Sequence, residues 1–287
     1  MRDFSEKVAV VTGGASGVGR AIAAKLAGEG SRVVIADIDA ESIEKTRSEL
    51  ADQGLAVDGM EVDVTRAESV NALAERVFAS YGNIHLLFNN AGVGIKEAKR
   101  RIWTLPEKDW QWAYAVNVMG VTNGIHAFVP KMLERGEEGH VINTSSGNGG
   151  ITSLATTPVY ASSKAAVTSL TEVLHYQFLM DGAKLQAHVL FPGPHLVNTN
   201  ILNSDRNRPD AFRVEGEAPA AYIDMKALAE SSGVEFKLTE PEEVAEMAIE
   251  GIREGRFWIL STLGKSDERL RTRTRSILER ENPELPQ

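Results

Sequence analysis

The chain places a tyrosine and a lysine four residues apart in "YASSK", Tyr160 to Lys164. On a helix that spacing puts both side chains on one face. A free tyrosine titrates at about 10, too high for an efficient base near neutrality. A neighbouring ammonium would favour tyrosinate and so lower that pKa. Such a pair could take the proton from an alcohol while hydride leaves its carbon, or return it in the reverse direction. The preceding stretch, "TSSGNGGITSLATTPV", supplies hydroxyls that could orient a substrate oxygen. An ordinary surface pair on a helix would look the same in isolation, so the elements around it have to decide.

Those elements alternate. "KVAVVT" (7–12), "SRVVIAD" (31–37), "LAVDGMEVDV" (55–64), "NIHLLFNN" (83–90), "GHVINTS" (139–145) and "LQAHVLFPG" (185–193) read as strands. Several are apolar on consecutive positions, as in strands covered on both faces. Helical patterns lie between them at 18–30, 40–53, 66–80, 106–134 and 158–181, and "EGRFWIL" (254–260) follows a further helix at 241–253. This order predicts an α/β fold, a doubly wound Rossmann-type parallel sheet of about seven strands with helices on both faces. No linker or repeat divides the 287 residues, so a single domain over 1–287 is expected. Residues 198–238 depart from the rhythm and are expected to cover the substrate as a loop or helical insertion. Residues 264–287 read as a basic, solvated C-terminal helix with a Pro-broken end.

Strand one runs into "TGGASGVG", 12–19, with a helix starting at Val18. Gly13, Ser16, Gly17, Val18 and Gly19 could bring backbone N–H groups and a helix N-terminus up to a pyrophosphate. Asp37 ends the second strand, 18 residues beyond Gly19, where a carboxylate can hold an adenosine ribose diol and repel a 2′-phosphate. Ile38 follows it, and no Arg or Lys lies close behind in the sequence, so NAD is favoured over NADP. Asp37 could instead be a plain N-cap for the next helix, although Asp39 would serve as well.

The Gly13-x-x-x-Gly17-x-Gly19 spacing resembles the short-chain dehydrogenase/reductase family, and further motifs of that family follow in order over about residues 5–200. The resemblance implies adenine contacts from Asp63 and Val64, and a cofactor wall from Asn90, Ala91 and Gly92 of "NNAG". It implies a structural and catalytic role for Asn117 of "VNVMG", holding a water that links Lys164 to solvent. It makes Tyr160 the general acid/base and lets Lys164 hydrogen-bond the nicotinamide ribose. The family's strand five ends in Asn, two variable residues and the catalytic Ser, which counts to Ser146, with Ser145 the alternative. Pro192 and Gly193 match the family's "PG", and Val197 and Thr199 its carboxamide contacts, after an apparent two-residue insertion such as His195 and Leu196.

The family members similar to this chain include bacterial enzymes acting on lignin-derived aryl alcohols. With Ile95, Trp103, Leu105, Ile151, Leu154, Ile201, Leu202, Phe212 and Tyr222 as candidate pocket walls, a bulky apolar or aromatic secondary alcohol or ketone is expected. A steroid or terpene alcohol is the alternative substrate, and an NAD-binding regulator without turnover the alternative class of function. The family also implies a homodimer or homotetramer paired through its long fourth and fifth helices.

Composition narrows the rest. With no cysteine, disulfides and thiolate sites are excluded. The formal charge of −9 argues against nucleic acid or an anionic membrane surface as partner. Apolar runs are strand-sized and the N-terminus enters a strand at once, so a cytoplasmic protein without a signal peptide is expected. His126, His140, His175 and His188 show no metal-ligand spacing, so they are expected to be structural and no metal is expected.

Overall fold

The computed structural model describes residues 1–98, 100–216, 221–227, 237–262 and 266–285. β1 (Val8–Thr12), β2 (Arg32–Asp37), β3 (Val57–Glu61), β4 (Leu86–Asn89), β5 (Gly139–Thr144) and β6 (Leu185–Leu190) are linked by crossover helices. A short β7 (Leu196–Val197) and β8 (Leu238–Thr239) come next, and β9 (Trp258–Ile259) completes the strands described. Seven of them form one parallel sheet in the order β3-β2-β1-β4-β5-β6-β9. β1, β4 and β5 are buried along their whole length, which is why their sequences do not alternate. Chain direction across the sheet reverses between β1 and β4, and a crevice opens at their carboxyl ends.

α1 (Gly17–Gly28) and α2 (Ala40–Ala51) follow the first two strands, and α3 (Ala67–Tyr81) the third. The expected helix at 106–134 is interrupted: α4 (Glu107–Tyr114) passes through a π turn at Ala115–Met119 into α5 (Gly120–Arg135). The π turn widens the helix at Asn117, a distortion that commonly marks a functional position. α6 (Pro158–Met180) carries Tyr160 and Lys164. α7 (Pro241–Arg253) packs on α1, and α8 (Ser266–Glu279) is the C-terminal helix. α8 buries none of its residues, as expected of a solvated helix, yet its Arg273 donates to the Ile151 carbonyl at 3.1 Å.

Three expectations need adjustment. β3 stops at Glu61, so Asp63 and Val64 belong to the turn beyond it. The residues that looked inserted after Gly193 build a two-stranded ribbon, Leu196 and Val197 pairing with Leu238 and Thr239. In the segment 198–238, the described part folds as 3-10 turns at Asn200–Asn207 and Asp210–Phe212, while 217–220 and 228–236 lie outside the described residues. So do 264–265 and 286–287 of the tail.

Candidate active site

The crevice at the sheet reversal is lined by Gly13, Ser16, Gly17, Val18, Asp37, Ile38, Asp63, Val64 and the Asn90–Gly92 turn. Tyr160, Lys164, Pro192, Val197 and Thr199 face the same space. Residues spread over most of the sequence thus meet in one cavity. Gly19, Asn117, Ser146 and Gly193 are not among the residues that line it, whereas Ser145 is. Gly19 instead packs under the loop, where an added Cβ would come within 2.1 Å of the Gly13 carbonyl and 2.7 Å of Asn90 Nδ2. Only glycine lets α1 start this close to β1. Thr199 sits over Gly17, its methyl 3.0 Å from the place a Cβ would take. The loop thus lets the backbone close over the N-terminus of α1, where free N–H groups suit an anion such as a pyrophosphate.

Asp37 and Asp39 divide their duties. Asp39 is the N-cap of α2, accepting from the Ser42 N–H at 3.0 Å and its hydroxyl at 2.7 Å. Asp37 therefore does not serve as that cap; it faces the cavity and braces the glycine loop through the Ala15 N–H at 3.1 Å. Burial pushes its pKa up, and the N–H groups of Ala15 and Asp39 pull it back. A cation does approach from far along the chain. Arg206, held by the Asn200 and Asn203 carbonyls, lines the same cavity as Asp37 and Ile38. Local inspection of the residues after Asp37 could not find it.

The groups around Tyr160 come from four elements. Lys164 is buried on the next turn, its Nζ 5.7 Å from the Tyr160 ring centroid and donating to the Thr144 carbonyl at 2.8 Å. Burial brings its pKa down to about 8. Gly92 of the β4 turn leaves room beside both Lys164 Nζ and Asn117 Oδ1, which lie 3.3 and 3.4 Å from where its Cβ would be. Asn117 accepts from the Val93 N–H at 2.8 Å and donates to the Val93 carbonyl at 3.1 Å and to Ser163 Oγ at 3.0 Å. Ser163 thus packs inward, as a support for Asn117.

The two candidate serines point in different directions. Ser145 is buried and its hydroxyl is shared with the Lys164 carbonyl (2.8 Å) and Thr168 Oγ1 (2.7 Å). Ser146 turns its hydroxyl toward Tyr160 and pulls the Tyr160 pKa down, against the larger upward push of burial. The net direction for Tyr160 is upward, opposite to the lowering anticipated from its lysine alone. The Lys164 ammonium stands 5.7 Å from the ring centroid and is turned to the Thr144 carbonyl, so burial outweighs it.

The expected apolar pocket walls are mostly elsewhere. Of the nine, Ile201 lines the cavity; Trp103 and Tyr222 are 79% and 72% exposed, and Ile95 and Phe212 pack on the core. Val93, Trp112, Val116, Leu196 and Pro209 line it instead. The turns at 200–212 are pinned in place by Arg208, which bonds Asp109 at 2.8 Å and lies 4.8 Å over the Trp112 ring. His195 faces the cavity while its N–H donates to Thr239 Oγ1.

This combination of a sheet reversal, a glycine cradle and a Tyr–Lys helix defines a dinucleotide-linked oxidoreductase of one class. The sequence profile of the short chain dehydrogenases matches residues 7–209, and the chain belongs to the short-chain dehydrogenase/reductase family. A crystal structure of a short chain dehydrogenase/reductase from Burkholderia phymatum in complex with NAD superimposes with a TM-score of 0.89. It is 37% identical, covering 100% of this chain and 99% of that one. The C alpha-dehydrogenase of Sphingobium sp. is 31% identical over 91% of this chain and 82% of its own length. The 1-deoxy-11-beta-hydroxypentalenate dehydrogenase of Streptomyces exfoliatus is 31% identical over 93% of this chain and 86% of its own. The protein is an oxidoreductase of this family, and among its described residues no helix is long and apolar enough to cross a membrane.

Proposed function

We propose that the protein transfers a hydride between NAD(H) and a bulky hydrophobic or aromatic secondary alcohol or its ketone. The observation that carries this reading is the Tyr160 hydroxyl, faced by Ser146 and backed by buried Lys164, in the cavity that also holds the glycine cradle. The cofactor, when bound, supplies the hydride acceptor and a positive ring. In oxidation Tyr160, as tyrosinate, takes the substrate hydroxyl proton while Ser146 orients that oxygen. Lys164 favours the tyrosinate through its ammonium. Asn117 holds the Val93 backbone, and the family resemblance gives it a water that would link Lys164 to solvent as a proton relay. In reduction the same proton moves from Tyr160 to the carbonyl oxygen.

The apolar walls Val93, Trp112, Leu196, Ile201 and Pro209 favour a hydrophobic substrate. A panel of aryl and alicyclic secondary alcohols with NAD, followed by absorbance of the reduced cofactor, tests the reading. Turnover of a bulky member supports it. Tight NAD binding with no turnover of any member would favour a regulatory protein instead.

NAD is the cofactor we propose as preferred, because Asp37 presents a carboxylate to the cavity. Asp37→Ala is expected to weaken NAD by roughly ten- to a hundredfold, the worth of hydrogen bonds to a charged group. NADP should lose less, since the substitution also removes a repulsion and leaves Arg206 nearby. Isothermal titration with both cofactors checks this, and an unchanged ratio would remove Asp37 from cofactor choice.

We also propose a homo-oligomer. Val173, Tyr176 and Met180 leave one face of α6 apolar and 50–82% exposed, which a second copy could cover. Sedimentation equilibrium should give a dimer or tetramer at micromolar protein, and Tyr176→Glu should shift it toward monomer. A wild-type monomer would refute the proposal.

A further inference from the structure

Glu97 lies in the loop after β4, is 0% exposed and carries no signature in the sequence. Its carboxylate accepts from the Val159 N–H at 2.7 Å and from the N–H of Tyr160 itself at 3.0 Å. These donors belong to the first turn of α6, whose groups have no partner within the helix. The residue in the ordinary capping position, Thr157, makes no side-chain cap; its hydroxyl accepts from Asn148 Nδ2 at 2.7 Å instead. A short local side chain would commonly cap such a helix. Here a fully buried carboxylate does so from 62 residues away, although burying a charge is costly unless hydrogen bonds compensate it.

The loop that carries Glu97 meets the rest of the site twice more. Asn117 clamps Val93 at both backbone groups, and the Gly94 N–H donates to Ser204 Oγ of the covering segment at 3.1 Å. One short stretch therefore ties the tyrosine helix, the π-turn asparagine and the cover together. Among the described residues the charged group that acts on Glu97 is Asp109 on α4, which pairs with Arg208 and Arg100. Burial raises the Glu97 pKa and Asp109 adds to this, while the two N–H groups pull it down.

We propose that Glu97 is a positioning residue for Tyr160: its carboxylate fixes the first turn of α6 and offsets the positive end of that helix, setting both the place and the basicity of the Tyr160 hydroxyl. The proposal rests on Tyr160 being the acid/base. Without the charge, the uncovered helix N-terminus favours tyrosinate. Glu97→Gln is nearly the same shape but lacks the charge and presents an amide N–H₂ to one of the two donors.

Three readouts separate positioning from plain structural support. Glu97→Gln should lower kcat by at least about tenfold, as misplacement of a catalytic group does, while the NAD Kd stays within about threefold. The acid limb of the kcat/KM profile should move to lower pH by roughly half a unit. The tyrosinate absorbance that Tyr160→Phe removes should titrate lower by the same amount, measured on the protein without cofactor. Glu97→Asp keeps the charge on a shorter stem, so it should lose kcat with the limb in its wild-type place. An unmoved limb and titration in Glu97→Gln, or NAD affinity falling in step with kcat, would overturn the proposal. If Glu97→Gln does not fold, Glu97→Asp decides: kcat lower by at least about threefold with NAD binding intact supports positioning, and unchanged kcat overturns it. Retained turnover in Tyr160→Phe would sink the catalytic reading itself. An inactive Tyr160→Phe beside an unaffected Glu97→Gln would sink only this inference.

Discussion

Tyr160→Phe is expected to lower kcat by about a thousandfold or more while leaving the NAD Kd within about twofold. Loss of a positioned general acid/base typically removes two to four orders of magnitude. The phenylalanine ring fills the same space, and the groups that shape the cofactor cradle lie on other elements: Gly13 to Gly19, Asp37 and Thr199. What disappears is the one hydroxyl that Ser146 faces. Ser146 cannot take over, because an alcohol without a base beside it holds its proton far above neutral pH. Lys164 points its ammonium at the Thr144 carbonyl, 2.8 Å away, and so is held back from the substrate oxygen. Single-turnover measurements with saturating NAD and any alcohol from the panel would separate binding from chemistry. Activity within about tenfold of wild type would show that proton transfer runs through another group, and the role assigned to Tyr160 would have to be abandoned.

The motifs legible in the sequence are those whose parts sit close together in the chain. The glycine loop, Asp37 at a strand end and the Tyr160–Lys164 turn each declare themselves within a few residues, and the alternation of strands and helices places them at one end of a sheet. Choosing between Ser145 and Ser146 required knowing which way the chain turns after β5; packing against Thr168 claims the first and leaves the second facing Tyr160. Glu97 and Arg206 could not be read at all, since a lone acid or base in an irregular stretch has meaning only through distant partners. The same limit explains the pocket walls. Trp103 and Tyr222 are large and apolar enough to suggest a substrate surface, but the turns that carry them direct them to solvent. The π turn at Asn117 was hidden because a one-residue widening leaves the helical pattern nearly unchanged.

Acid should destabilise this protein through a pair of histidines far from the chemistry. His140 on β5 and His188 on β6 are both 0% exposed, and their rings meet through Nδ1 and Nε2 at 2.8 Å. His188 Nδ1 lies 2.7 Å from the Arg256 carbonyl, which can only accept, so that nitrogen carries the proton. His188 Nε2 must then accept from His140 Nδ1–H, and both rings are neutral. Burial brings His140 down to about 3, with His188 adding to the shift, and brings His188 down to about 4. In the unfolded chain each would titrate near 6.5. Below that pH the unfolded state binds more protons than the folded one, so stability falls as pH drops from about 6.5 toward 4. At up to about 1.4 kcal/mol per pH unit for each ring, the pair should remove roughly 4 kcal/mol between pH 7 and pH 5. Asp37 and Glu97 act in the opposite sense, because their raised pKa values let the folded state take up protons first. The contribution of the histidines is therefore isolated by difference. Urea unfolding at fixed protein concentration should show the double variant His140→Gln, His188→Gln losing markedly less stability over this range than wild type, even if it starts lower at pH 7. Equal losses in the two proteins would mean that the rings accept protons in the folded state, and the neutral chain from Arg256 to His140 would be wrong.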